Sequence, residues 1–338
     1  MKASILFITY QHERYIRNTI RSALAQDYTD LELVVCDDAS KDQTVSIIEE
    51  EIKECYRTDI EIIRIYAKKN QGLIGNINSG LKACNGDIII VMSGDDISLP
   101  HRTSKLVNEF ERHPKCKLIS SNCSSIDADD IIIKEAHFNQ KTATYNLFDD
   151  PQKIYTKSPI LGATAAFRRE LYDNFGSLER FSYAEDTCFW FRAALLGPIH
   201  FLNDILAHYR IHTESYTYRP QGNTIEVEIK RHSTHYLKYE NMMRQHLKDL
   251  STALAAGWIS PREASTIKKS IILKRESFRL NRYSLHSYPW KLWTACAFNY
   301  FKAQPSFKLF LKIYKSKLKL RLSSSKKQKY ITRITRVR

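Results

Sequence analysis

Two double aspartates, Asp37-Asp38 and Asp95-Asp96, each follow a short run rich in Ile and Val: Leu31 to Cys36 and Asp87 to Met92. Such runs read as parallel strands covered on both faces, which puts both acidic pairs at strand C-terminal ends. In an open α/β sheet that edge is where ligands bind, and carboxylates gathered there repel one another unless a cation or hydrogen-bond donors compensate them. The chemistry expected is a metal and a polar ligand. At Asp37-Asp38 a carboxylate can accept hydrogen bonds from a nucleobase imide or a ribose hydroxyl, with Tyr10, at the end of the first strand, stacked on the base. An N-cap by Ser40 or Asp42 beside a solvated acidic turn would use the same segment. Gly94-Asp95-Asp96 suits a hard divalent ion held by few protein ligands plus phosphate oxygens and water, or else a turn capping the helix after Pro100. A third pair, Glu185-Asp186, opens a helix. Acidic residues are favoured there by the macrodipole, and one of them could equally take a proton from an attacking hydroxyl. His208 and His212 lack the Glu of a His-Glu-x-x-His zinc helix, but His212 could add an imidazole to a metal already held by carboxylates, while Arg210 could contact phosphate.

The elements that position these residues follow from hydrophobic periodicity. The first 120 or so residues alternate strand-like and helix-like segments, with strands near 3–9, 31–36, 60–66, 87–92 and 117–121, the pattern of a mostly parallel sheet with helices on its faces. Tyr15, Ile16, Thr19, Ile20, Ala23 and Leu24 recur at helical spacing, as do Val45, Ile48 and Ile52. Pro100 suits the first turn of a helix through Phe110. From about 122 to 160 the pattern loosens into loops and short strands, with a turn at Asp127 to Asp130 and a break at Asp149-Asp150-Pro151. A helix starting at Glu185 stops at Gly197-Pro198, and beyond Pro220 the chain reads as mainly helical.

Composition narrows the class. The chain has 338 residues, 43% of them hydrophobic, with no apolar run near the ~18 residues of a membrane span. Met1 leads straight into a strand without a signal-like apolar segment, so a cytoplasmic protein is expected. Seven cysteines show no Cys-x-x-Cys spacing, which argues against a zinc site and a disulfide framework. The net charge of +15 is unevenly placed: residues 261–338 carry 21 Lys/Arg against 2 Asp/Glu, a local +19 that leaves −4 for the first 260. Such a split suggests a catalytic or binding unit joined to a segment that seeks an anionic surface.

Taken together, the motifs resemble the family 2 glycosyltransferases, inverting enzymes of the GT-A fold. The resemblance rests on Ile8-Thr9-Tyr10, Ser22 to Tyr28, Val35 to Ser40, Asn70-Gln71-Gly72, Gly94-Asp95-Asp96, Gly162-Ala163, Glu185-Asp186 and Tyr209 to His212, which follow the family order over about 2–212. It implies a nucleotide-diphospho-sugar donor bound by Thr9, Tyr10, Asp37, Asp38, Asn70, Gly72, Asp95 and Arg210. It also implies Mn2+ or Mg2+ on the donor diphosphate at Asp96, assisted by Asp95, with His212 near by. Asp186, beside Glu185, would deprotonate the acceptor hydroxyl for a single in-line displacement with inversion. One departure is Asn76-Ile77-Asn78, where the family often has Ala-Arg-Asn, so a phosphate-contacting arginine is absent or replaced.

The expected architecture is an α/β GT-A domain over 1–220, with a nucleotide-binding half over 1–120 and an acceptor half over 121–220. A helical region over 221–322 and a basic flexible tail over 323–338 would follow. Between Tyr288 and Leu322, aromatic residues such as Trp290, Trp293, Phe298 and Phe307 interleave with lysines. A basic amphipathic helix of this kind can lie on an anionic membrane surface or pack on its own domain. The function expected is transfer of a sugar from a UDP- or dTDP-sugar to a glycan or lipid-linked glycan, in bacterial polysaccharide or lipopolysaccharide synthesis, peripheral on the inner membrane's cytoplasmic face. The alternatives are a nucleotide-sugar-binding protein without transfer activity and, from the tail alone, a nucleic-acid-binding protein. No nucleic-acid recognition motif accompanies the tail, so no nucleic-acid partner is expected.

Overall fold

The structure is a computed structural model that describes residues 1–55, 57–149, 161–213, 215 and 225–285. The chain divides into two units, Met1–Arg219 with Thr252–Ile259, and Pro220–Ser251 with Ser260–Arg338.

The first unit is built on one sheet. In chain order its elements are β1 (Ala3–Thr9), α1 (Ile16–Leu24), β2 (Leu31–Asp37), α2 (Thr44–Glu54), β3 (Glu61–Tyr66), α3 (Gly72–Ala83), β4 (Ile88–Ser93), β5 (Ile97–Ser98), α4 (Arg102–Arg112), β6 (Leu118–Ile126), β7 (Ile132–Lys134), β8 (Ala143–Tyr145), β9 (Ala165–Arg168), α5 (Glu170–Phe175), α6 (Glu185–Leu196) and β10 (Ile199–Arg210). Strand order is β3-β2-β1-β4-β9-β6-β10-β5, with β7 on β6 and β8 on β10. The pairs β3-β2, β2-β1 and β1-β4 are parallel, while β9 enters antiparallel between β4 and β6.

Every residue of β1 and β2 is buried, as strands covered on both faces must be. On α1 the buried residues are Ile16, Thr19, Ile20, Ala23 and Leu24, one stripe at helical spacing. The apolar four of these join Ile5, Phe7, Leu33, Val35, Ile90 and Met92 in a single core. Gln26 fastens the core to the sheet edge. Its Nε2 donates to Ser22 O and Leu99 O, both at 3.0 Å, and its Oε1 accepts from Thr103 N at 3.0 Å and Thr103 Oγ1 at 2.8 Å. The end of α1 is thereby tied to the start of α4, and the loop bearing Asp95-Asp96 lies between β4 and that anchor. Pro100 precedes α4 by two residues instead of forming its first turn.

One strand extends further than its side chains suggest. β6 runs to Ile126 through Ser120, Ser121, Asn122, Ser124 and Ser125, all buried. Burial is compensated by hydrogen bonds for all but Ser121: Ser120 with Thr164 at 2.9 Å, Asn122 Nδ2 to Phe138 O at 2.8 Å, Ser124 with His208, and Ser125 with His137 at 3.1 Å. Ser121 Oγ has no hydrogen-bond partner among the described residues.

In the second unit, α7 (Ile225–Ala255) contributes its residues through Ser251 and α8 (Pro261–Leu285) follows. Ser260 and Glu263 form a capping box at the start of α8, with Pro261 in the first turn. Arg279 and Arg282 each donate to buried Glu240, at 2.6 and 2.9 Å. Among the described residues no helix is long and apolar enough to cross a membrane. Among the described residues six cysteines are free thiols. Cys296, the Asp150-Pro151 break and the basic region from Tyr288 onward lie outside the described residues.

Candidate active site

The C-terminal ends of β1, β2, β4 and β10 bring most of the expected residues to one edge. Parallel register pairs Thr9 with Asp37 and Ile8 with Ser93, so the loops after β1, β2 and β4 leave the sheet side by side.

The residues after β4 meet those after β10. His212 Nε2 lies 3.1 Å from Asp95 Oδ2, and Ser93 Oγ also bonds the Asp95 carboxylate. Asp95 is held below the usual carboxylate range: burial works to raise it, but the His212 hydrogen bond, the charge of His12 and the Ser93 hydroxyl outweigh burial. Asp96 is turned the other way. Its Oδ1 accepts the backbone N–H of Arg210 at 2.9 Å, and burial together with the neighbouring Asp95 charge pushes it well above the usual range. Gly94 is required by this packing, since a Cβ there would lie 2.5 Å from Thr9 Oγ1 and 2.6 Å from His12 Nδ1.

Arg210, expected from the sequence to contact phosphate, is placed as an internal group. Its side chain is 1% exposed and points into the protein. Nε donates to Asp95 O at 2.7 Å and Nη1 to Asp127 O at 2.8 Å; Nη2 pairs with Asp130, and the guanidinium lies over the Tyr15 ring at 4.8 Å. The partners found for the guanidinium are thus internal, because the fold brings the Asp127–Asp130 turn onto the arginine and buries it. Tyr15 is packed from a second direction by His212, whose ring centroid is 4.6 Å away.

Asp37 and Asp38 are buried and occupied as well. Ser40 donates to Asp37 through its N–H, at 2.8 Å, and its hydroxyl, at 2.5 Å, while that hydroxyl accepts from Gln11 N at 2.8 Å. Gln11 and Ala39 both have positive φ, 53° and 64°, which marks constrained backbone beside Tyr10 and Asp38. Asp38 accepts from Gln71 N at 2.7 Å and Gly72 N at 2.8 Å, capping the start of α3, and Asn70 Oδ1 adds a 3.1 Å contact to Gly72 N. Tyr10 remains 39% exposed at the rim.

The departure at Asn76-Ile77-Asn78 has a structural account. Asn76 Nδ2 reaches Thr9 O at 3.4 Å and Cys36 O at 3.1 Å, joining the ends of β1 and β2. Asn78 exchanges two hydrogen bonds with the backbone of Leu178, at 2.8 and 2.9 Å, and Ile77 is core.

Glu185 and Asp186 form a second acidic group in the first turn of α6. Asp186 Oδ1 accepts from Thr187 N at 2.6 Å and Thr187 Oγ1 at 3.2 Å. Burial raises its proton affinity, opposed by the Thr187 and Gly162 hydrogen bonds. Glu185 is pushed up to about 8 by burial and by the charge of Asp186. Gly162 permits the close approach: a Cβ on it would lie 2.8 Å from Glu185 Oε1. Gly162–Thr164 is a single 3-10 turn packed on β4, β6 and β10, so it sets α6's acidic end against the sheet.

Two side chains here were not anticipated. His12 sits against Asp95, His212 and Thr9; burial lowers its pKa, while Asp95, Asp42 and Asp37 act to raise it. Tyr15 supports both His212 and Arg210. The available signal was position, since both follow Thr9-Tyr10 in the loop and helix at the same sheet edge.

The profile of glycosyl transferase family 2 matches residues 4–176, just over half of the chain. The chain belongs to glycosyl transferase family 2. An uncharacterized glycosyltransferase of Haemophilus influenzae is 27% identical over 301 residues, covering 84% of this chain and 88% of that one. Among solved structures, Staphylococcus aureus TarS 1-349 aligns at TM-score 0.62 and 22% identity, over 98% of this chain and 90% of that one; the same protein has been crystallised with UDP-GlcNAc. The mannosyltransferase PcManGT of Pyrobaculum calidifontis, in complex with GDP-Man and Mn2+, aligns at TM-score 0.50 and 16% identity, over 94% and 84%. These likenesses establish the GT-A fold, and family membership makes this protein a glycosyltransferase that uses nucleotide sugars.

Divalent ions accompany this fold in the PcManGT complex. The residues present here fit one: a carboxylate with lowered proton affinity and an imidazole are both acceptable to Mn2+. Their 3.1 Å separation is close to the ~3 Å between adjacent ligands of an octahedral ion at ~2.1 Å. His212 Nδ1 is also buried with no hydrogen-bond partner among the described residues.

Proposed function

We propose that this glycosyltransferase moves a sugar from a UDP- or dTDP-sugar to a hydroxyl of a glycan or lipid-linked glycan, by one displacement with inversion and with Asp186 as general base. The observation that carries this reading is the separation of two acidic groups with opposite proton affinities. Asp95, beside His212, is held ionised, as a cation ligand must be. Asp186, at the first turn of α6, has raised proton affinity, as a base near neutral pH requires.

In this reading Tyr10 stacks on the base at the rim, and Thr9 lines the floor beneath it. Asp37 and Asp38 act through what they hold, the Ser40–Gln11 loop and the Asn70–Gly72 turn. Asp95 and His212 would hold Mn2+ or Mg2+, which when bound neutralises charge on the departing diphosphate. Asp96, expected to lead, fits better as the residue that fixes β10 beside Asp95. Asp186 accepts the acceptor's hydroxyl proton as its oxygen bonds to the anomeric carbon and the bond from that carbon to the diphosphate oxygen breaks. Glu185, protonated below about pH 8, leaves Asp186 the single negative charge of the pair. We also read 1–120 as the donor half and 121–220 as the acceptor half, with 221–338 as a basic extension able to hold the enzyme at an anionic membrane surface.

The test starts from a screen of nucleotide sugars for Mn2+-dependent binding and slow hydrolysis. With a donor in hand, Asp186→Asn should lower transfer by about 10²–10⁴-fold with donor affinity nearly unchanged. Transfer within a few-fold of the parent would remove Asp186 from this role.

A further inference from the structure

A second group of cation ligands lies at the other end of the same strands. Glu109, in the last turn of α4, and His113, just beyond it, face His200, the second residue of β10. Leu118 at the start of β6 pairs with Ile199 at the start of β10, in parallel, whereas Arg210 ends β10 and His212 follows it. The group is therefore at the sheet edge opposite the Asp95 cluster.

We propose that Glu109, His113 and His200 bind a divalent transition ion of the Zn2+ class, joining the end of α4 to the start of β10. Two imidazole nitrogens and one carboxylate oxygen are a donor set that suits Zn2+, Ni2+ or Cu2+ better than Mg2+ or Ca2+. One ligand atom from each residue lies within 4.8 Å of the other two. Glu109 Oε2 and His113 Nε2 are 3.5 Å apart, near the ~3.4 Å edge of a tetrahedron with ligands at ~2.0–2.1 Å.

The surroundings orient these ligands. Thr144 Oγ1 is 2.8 Å from His200 Nδ1, which fixes the ring and leaves Nε2 as its free ligand atom, the usual arrangement for a metal-binding histidine. Arg112 occupies Glu109 Oε1 at 2.9 Å, so Oε2 is the oxygen left for a cation. The His113 and His200 rings stand 4.4 Å apart and 25° from parallel. Closing the set requires His113 to turn. It is the residue free to do so, with a side chain 39% exposed against 13% for Glu109, while His200 is the buried anchor. A cation at this place also faces the partial negative charge of a helix C-terminus. The fourth position stays open to water.

The experiment uses tag-free full-length protein carrying Asp95→Asn, to weaken cation binding at the donor edge, titrated calorimetrically with ZnCl2 and followed by thermal unfolding. The expected result is one Zn2+ equivalent and a raised Tm, both lost when His113→Gln or Glu109→Gln is added. Thr144→Val should weaken the same equivalent by about 10–100-fold. Absence of the equivalent in the Asp95→Asn protein, or Zn2+ binding unchanged by both His113→Gln and Glu109→Gln, would overturn the proposal. Glu109 and His113 are replaced in preference to buried His200 so that loss of folding cannot imitate loss of the ion.

Discussion

Arg210 gives the sharpest test, because sequence and structure assign it different work. As a phosphate ligand it would contribute to donor affinity and little to folding. As an internal clamp it contributes to folding and to the placement of Asp95. The variant Arg210→Met keeps most of the aliphatic packing and removes the guanidinium. Two backbone carbonyls, Asp95 O and Asp127 O, then lose charged donors at 2.7 and 2.8 Å, each worth about 1.5–3 kcal/mol. The Asp130 pair adds little, since Asp130 is 41% exposed and such pairs are worth about 0–1 kcal/mol. Loss of the Tyr15 stack adds up to about 1 kcal/mol, and water reaching the surface turn offsets part of the total. The expected loss is about 3–5 kcal/mol, a large share of the roughly 5–15 kcal/mol that holds a domain together. Urea unfolding read by tryptophan fluorescence measures it, and the midpoint should shift with little change in slope. Donor affinity, measured at a temperature where the variant is folded, should fall through weakened metal dependence at Asp95. The clamp is refuted if Arg210→Met unfolds within about 0.5 kcal/mol of the parent while donor KM rises more than tenfold, since that outcome belongs to a phosphate ligand.

Other expectations follow from the same geometry. Gly94→Ala places a Cβ 2.5 Å from Thr9 Oγ1, so overpacking should cost about 1–3 kcal/mol in urea unfolding and lower transfer; an unchanged midpoint would show that the β1 and β4 loops are not in contact. Asn76→Ala removes both links between the ends of β1 and β2 and should cost about 1–3 kcal/mol, measurable in the same way. Glu185 is raised to about 8 from an ordinary value of 4.5, so its contribution to stability is full at low pH and is lost as pH rises through that interval. The stability of Glu185→Gln relative to the parent should therefore increase from pH 5 to pH 8 and level off above it; a constant difference would contradict the raised value. Asp95→Asn should abolish Mn2+ dependence of donor binding, and retention of that dependence would move the ion elsewhere.

The fold of the first 120 or so residues was legible because its signal is apolar and local. β1, β2, β3 and β4 are Ile- and Val-rich runs broken by helical stripes, so periodicity alone located them and the acidic ends they carry. The second half of β6 was not legible, since its serines and Asn122 are buried through hydrogen bonds to residues such as Thr164 and Phe138 that only the fold brings near. β9 is four residues long and pairs antiparallel between β4 and β6, a position that no local pattern encodes. The internal placement of Arg210 is not legible for the same reason. Its partners Asp127 and Asp130 are about 80 residues away, and a lone arginine after a strand reads as a ligand-binding group unless that turn is known to cover it. His12 is a different case, because it lies three residues beyond Thr9 on the same edge and position alone could have nominated it.

Adjacent carboxylates at a strand end cannot share one task, and this explains how the first two acidic pairs are used. Asp95 and Asp96 sit in and just after the tight turn that joins β4 to β5, where the Asp96 N–H returns to Ser93 O. The turn sends one side chain to the loops at the edge and the other to the neighbouring strand. Asp95 meets His212 and Asp96 meets the β10 backbone, and the proton affinities separate accordingly: one is held low by its donors and the other is driven up by burial and by its neighbour's charge. Asp37 and Asp38 divide in the same way, toward the Ser40 loop and toward the start of α3. Glu185 and Asp186 are on a helix, where consecutive side chains diverge by about 100° and remain neighbours. Burial raises the proton affinity of both, and the charge of Asp186 raises that of Glu185 further. The pair Asp95-Asp96 thus yields one ionised carboxylate and one structural anchor, and the pair Asp37-Asp38 two anchors. The helix-end pair yields two buried acids with affinity for a proton, and Asp96 and Asp38, raised as well, are already bonded to the backbone of Arg210 and of the start of α3, which is the reason the base is sought on α6 and not among the aspartates of the sheet edge.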